Sequence, residues 1–106
     1  MTARLEPSQH SGSRDHAREL VAGLASHMAG MSVVLDCTDL VVGTPSFLDE
    51  VIKEVLVLRQ ADRLEIIGSS ARIATLAARA AANRGVADRL SVDARGINGP
   101  ERASST

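Results

Sequence analysis

The 106-residue chain carries 12 Lys and Arg against 13 Asp and Glu, a formal net charge of -1, so there is no broad positive field to grip nucleic acid or an anionic membrane surface. Phe47 is its one aromatic side chain and Cys37 its one cysteine, which leaves almost no base-stacking platform, no internal disulfide and no multi-cysteine metal site, and fits a reducing compartment. With no apolar signal core and no run of membrane-spanning length, the chain reads as one small cytoplasmic domain.

Residues 1–12 are mostly polar and read as a flexible segment, with Ala3 and Leu5 hinting at a short edge strand. Ser13 stands where an N-cap belongs. Ala17, Leu20, Val21, Leu24 and Met28 then recur at helical spacing and predict a first helix ending near Gly30. The β-branched run SVVLDC, residues 32–37, predicts a strand buried on both faces.

A second helix is expected after Gly43, with Thr44 as N-cap and Pro45 as first helical residue. Its apolar arc is Phe47, Leu48, Val51, Ile52, Val55 and Leu56, and the opposite arc of Asp49, Glu50, Lys53 and Glu54 reads as solvated. RLEIIG, residues 63–68, predicts a second central strand. SSARIATLAARAAANRG then predicts an alanine-rich helix with a serine cap before it and Gly85 as a left-handed C-cap. RLSV, residues 89–92, reads as a third strand, and residues 93–106 as a disordered tail. Residues 13–92 are therefore the foldable body. Helices alternating with apolar strands predict an α/β fold, a mainly parallel sheet of about three to four short strands packed with three helices.

Neither GxxxxGK[ST] nor GxGxxG occurs. Gly43 and the run Gly68-Ser69-Ser70 each precede a helix, so their backbone N–H groups form a candidate anion site, although turn glycines and a capping serine explain the same residues. His10, His16 and His27 lack metal-ligand spacing, and Cys37 closing a buried strand reads as a packed apolar residue. No catalytic residue, metal or cofactor is expected. Asp36, directly after VVL, must either accept hydrogen bonds from turn N–H groups or lie at the surface. Arg72, Arg79, Arg84 and Arg89 form a basic edge, either solvated or facing an acidic partner.

The order VVLDCTDLVVGTPSFLDEVI followed by RLEIIGSSARIATLAARAAANRGVADRLSV resembles the STAS domain, the module of anti-sigma factor antagonists and sulfate-transporter tails. The resemblance covers residues 13–92 and has two departures. The turn of STAS antagonists usually reads Asp-Ser-Ser/Thr-Gly-Leu, whereas a gapless match from Asp36 sets Pro45 at the phosphate-accepting serine and leaves Ser46 and Thr44 as the neighbouring hydroxyls. Too few strand-like residues precede the first helix for the family's opening hairpin, which is expected to be reduced or missing. Both departures, with the pattern Pro-Ser-Phe-x-Asp-Glu, make the chain more similar to a small bacterial STAS-like family of unknown function.

The resemblance implies a non-enzymatic regulatory module that docks a protein partner, an ATPase-like serine kinase or an anti-sigma factor. The implied surface is Thr44, Pro45, Ser46, Asp49, Glu50 and Lys53. Ser46 and Thr44 are the candidate phosphorylation positions, and a homodimer is a further candidate assembly. A phosphoryl group on Ser46 adds about -1.5 to -2 charge beside Asp49 and Glu50. The alternative is a module binding a small anion or nucleotide at residues 43–46 and 68–70. An enzyme is not expected, because no base lies near Ser46 or Cys37 in the sequence.

Overall fold

A computed structural model describes residues 2–7, 10–40 and 42–94. In chain order the strands are β1 (Thr2–Leu5), β2 (His10–Ser11), β3 (Ser32–Asp36), β4 (Val42–Gly43), β5 (Arg63–Ser69) and β6 (Leu90–Ala94). Between them lie α1 (Arg14–Val21), α2 (Pro45–Ile52) and α3 (Ala71–Asn83). β1, β3, β5 and β6 form one sheet in that order, with every pairing parallel, and β2 pairs with β4, also in parallel, as a second two-stranded sheet. The expected α/β class with a parallel sheet and three helices is what the chain adopts. Among the described strands no opening hairpin forms, since β1 joins the edge of the main sheet through β3. β6 reaches Ala94, two residues into the segment read as a tail, whose remainder lies outside the described residues.

The sheet order follows the order of its strands in the chain, so each right-handed crossover puts its helix on the same side. That overturns the expectation of strands buried on both faces. Val33 and Leu35 of β3 and Leu64 and Ile66 of β5 are buried beneath the helices, with Ala3, Leu5, Leu90 and Val92 beside them in register. The alternate residues Arg4, Val34, Glu65 and Ser91 share a row on the other face, which no helix among the described residues covers. Asp36 closes β3 on that face. Its Oδ1 accepts from Thr38 N at 3.0 Å and from Thr38 Oγ1 at 2.6 Å, and its Oδ2 pairs with Arg4. The Thr38 hydroxyl and N–H, ahead of Arg4, hold the carboxyl below its usual range.

α1 starts as expected, the Ser13 hydroxyl accepting from His16 N at 3.1 Å, but it ends at Val21 rather than near Gly30. Its final turn tightens, with Leu24 N bonding the Val21 carbonyl at 2.9 Å. The backbone then leaves the helical path because Met28 N donates to the Arg59 carbonyl at 2.6 Å, a tertiary bond that fixes Met28 in the core. α2 runs on as a π-helical segment, Lys53–Leu58. All six residues of its expected apolar arc are buried, and this arc is the centre of the core. α3 is capped by the Ser70 hydroxyl, which accepts from Ile73 N at 3.2 Å. Its C-terminus is a Schellman turn: Gly85, at φ +73°, donates to the Ala82 carbonyl and Val86 to the Ala81 carbonyl.

Candidate functional site

The N-terminal turns of α2 and α3 lie at the carboxyl end of the sheet. Thr44 is the α2 cap, its Oγ1 accepting from Phe47 N at 3.2 Å, and Pro45 follows as first helical residue. This leaves Ser46 without a capping task. Its side chain is exposed, and among the described residues its hydroxyl makes no hydrogen bond. Thr44→Ala should therefore lower stability by about 1 kcal/mol in chemical denaturation, whereas Ser46→Ala should stay within about 0.5 kcal/mol of wild type.

Ser46 opens onto a groove of about 240 Å³ between the start of α2 and the outer side of α3. Pro45, Leu76 and Ala80 supply apolar surface there, and Arg14, Asp49, Arg79 and Asn83 supply polar groups. Of the α3 residues of this groove, sequence alone points only to Arg79, as a member of the basic edge.

The acids beside Ser46 are not the solvated pair expected of them. Glu50 is fully buried. Lys53 Nζ lies 2.9 Å and Arg18 Nε 3.2 Å from its Oε2, and Arg14 Nη1 lies 3.1 Å from its Oε1. The reason is topological. α2 is the middle helix of three on one sheet face, so α1 covers the flank that carries Glu50. Burial by itself would raise the Glu50 pKa. The hydrogen bonds from Lys53, Arg14 and Arg18 outweigh it and bring the value down to about 2.

Asp49 faces the other neighbour, and Arg84 at the end of α3 grips it bidentately, Nε to Oδ1 and Nη2 to Oδ2, both at 2.7 Å. That grip, against some desolvation and with Arg14 at 2.9 Å helping, lowers its pKa to about 2. Arg14 therefore bridges both acids, and the cluster ties α1, α2 and the end of α3 together. Glu50 is withdrawn from any partner surface. Asp49 is half-buried and committed, and Lys53 is half-buried with its amine on Glu50. Thr44 is committed as the cap, which leaves Pro45 and Ser46 as the exposed members of the expected surface.

The candidate anion site is drawn together differently from expectation. Arg72 Nη1 donates to the Gly43 carbonyl at 3.3 Å and links the two helix starts. A Cβ on Gly43 would lie 3.0 Å from Ile73 Cδ1 and 3.1 Å from Leu40 Cδ2. A Cβ on Gly68 would lie 3.1 Å from both Thr38 N and Thr38 Cα. Both glycines therefore serve close packing of the chain on itself. Ser70 is occupied as the α3 cap, and Ser69 is buried with its Oγ unpartnered among the described residues. Cys37 is fully buried in the core, and no helix among the described residues is long and apolar enough to cross a membrane.

Compared with known proteins, the chain matches no family model, and no curated protein or solved structure is similar to it at a significant level.

Proposed function

We propose that the chain is a non-enzymatic, STAS-like interaction module that docks a protein partner of the ATPase-like serine kinase or anti-sigma class at the start of α2. The observation that carries this reading is the state of Ser46. Its hydroxyl is exposed at the rim of a groove, and Thr44 rather than Ser46 caps the helix. A hydroxyl with no hydrogen bond among the described residues, exposed at a helix start, is free for contact or modification. Phosphorylation at Ser46 adds about two negative charges there, a local electrostatic switch. It would act at a position adjacent to, not at, the family's usual one.

The test is affinity capture from host lysate with wild-type and Ser46→Asp baits. The expected result is a kinase-like ATPase retained by wild type and lost with Ser46→Asp. Recovery of no protein by either bait would overturn the reading. The small-anion or nucleotide alternative rests on the unpartnered Ser69 hydroxyl beside the linked helix starts. It predicts that phosphate or a nucleotide raises the melting temperature, since a ligand at 100 times its Kd stabilises by about 2.7 kcal/mol. Absence of any shift across such a panel counts against it.

A further inference from the structure

We infer that the partner meets this site with an acidic segment, and that much of the contact lies on α3 rather than along α2; this rests on the interaction reading above and names the chemistry of the partner. The inference comes from which charges at the groove are already used. Asp49 is held by Arg84 and Arg14, and Glu50 is buried beneath Arg14, Arg18 and Lys53. Neither acid has a charge left for a partner. α3 itself, ARIATLAARAAAN, contains no Asp or Glu. Arg79 on its exposed side has no hydrogen bond or ion pair among the described residues. The charge left uncommitted at the groove is therefore positive.

Arg79 stands beside the half-buried Leu76 and the small surface of Ala80, with the Asn83 amide within the same groove. A guanidinium next to a shallow apolar strip suits a short peptide segment that alternates carboxylates with an aliphatic side chain. An arginine-rich partner would instead meet Arg79 with like charge. The same arrangement gives Ser46 a second role, because an anionic group placed there shares the groove with Arg79 and competes with the partner's carboxylate for it. The switch would then work by neutralising the receptor in cis.

The test is an NMR titration of the uniformly 15N-labelled full chain, independent of any captured protein. The probes are a capped hexapeptide of glutamates around one leucine, the matching lysine peptide and inorganic phosphate, applied to wild type and to Arg79→Glu. Arg79 is exposed and unpaired among the described residues, so the variant should keep the wild-type spectrum away from α3. The expected result is saturable shifts of the Ser46, Leu76, Arg79 and Asn83 amides with the acidic peptide, weakened at least about fivefold in Arg79→Glu. Equal shifts with the lysine peptide, or no change in Arg79→Glu, would overturn the inference. Saturation by phosphate without any response to the acidic peptide would overturn it too, in favour of a small-anion site. Failure here alongside successful lysate capture would overturn the acidic-segment inference alone and leave the interaction reading standing, whereas recovery of no protein in the lysate capture would overturn that reading and, with it, the inference.

Discussion

Glu50→Ala is expected to lower stability by about 3 kcal/mol at neutral pH, the low end of the range for breaking a buried ion pair. The size follows from what remains behind. Glu50 is fully buried and satisfies three cations at once, so its loss leaves Arg14, Arg18 and Lys53 facing one another across an empty carboxylate position. Those cations are 30–52% exposed, and partial rehydration keeps the cost from rising further. Glu50→Gln keeps the packing and one acceptor and should cost less, about 1–2 kcal/mol.

The same cluster sets an acid limit. Glu50 and Asp49 have ordinary pKa values of 4.5 and 3.8 and folded values of about 2. Their folded forms are thus the weaker proton binders, so their contribution is fully present above about pH 5 and is lost as the pH falls from there towards about 2. A melting curve measured across that window should fall steeply for wild type and less steeply for Glu50→Gln. A Glu50→Ala variant within about 0.5 kcal/mol of wild type would contradict the account of the cluster.

Gly68→Ala is expected to cost about 2–4 kcal/mol, from two sources that its neighbour in type, Gly85, separates. Both glycines have left-handed backbones, φ +70° and +73°, and an L-residue there costs about 1–2 kcal/mol. Only Gly68 is crowded, with Thr38 N and Thr38 Cα each 3.1 Å from where a Cβ would stand, whereas a Cβ on Gly85 meets nothing within 4 Å. Moving Thr38 would also disturb its hydrogen bonds to Asp36. Gly85→Ala should therefore cost about 1 kcal/mol, and the difference between the two variants in chemical denaturation measures the price of the β5 to Thr38 approach. Equal costs would remove that approach from the account.

What could be read from the sequence was local. The α2 arc from Phe47 to Leu56, the caps at Ser13, Thr44 and Ser70 and the left-handed Gly85 all follow from periodicity and from hydrogen bonding within a few residues. What could not be read depends on partners distant in the chain. Glu50 is buried by arginines 32 and 36 residues away, and a helical wheel carries no information about which flank another helix will cover. Val34 and Ile67 sit on the open sheet face, half-buried by their neighbours within the sheet, so VVL and EII read as doubly buried strands. α1 ends early because of a bond to Arg59, beyond α2 in the chain.

For the candidate site, Ser46 was visible as a serine at a helix start, and Thr44 and Pro45 as its cap and first residue. The groove was not visible, since it exists only once α3 lies against α2, bringing Leu76, Arg79 and Asn83 beside Ser46. Charge composition also misleads here. Asp49 and Glu50 make the α2 start look acidic in sequence, yet Lys53 and the cations drawn in from α1 and from the end of α3 engage both acids and leave Arg79 as the uncommitted charge at the groove among the described residues.

The measurement that tests the central claim most directly is a hydrogen-exchange footprint of the full chain with and without the partner retained by wild-type bait. The account predicts slowed exchange at the α2 start around Ser46 and along α3 from Leu76 to Asn83, and loss of that protection with Ser46→Asp. Protection confined to the open sheet face around Val34 and Ile67, or to the exposed Val57 and Leu58 at the end of the π-helical segment after α2, would contradict it.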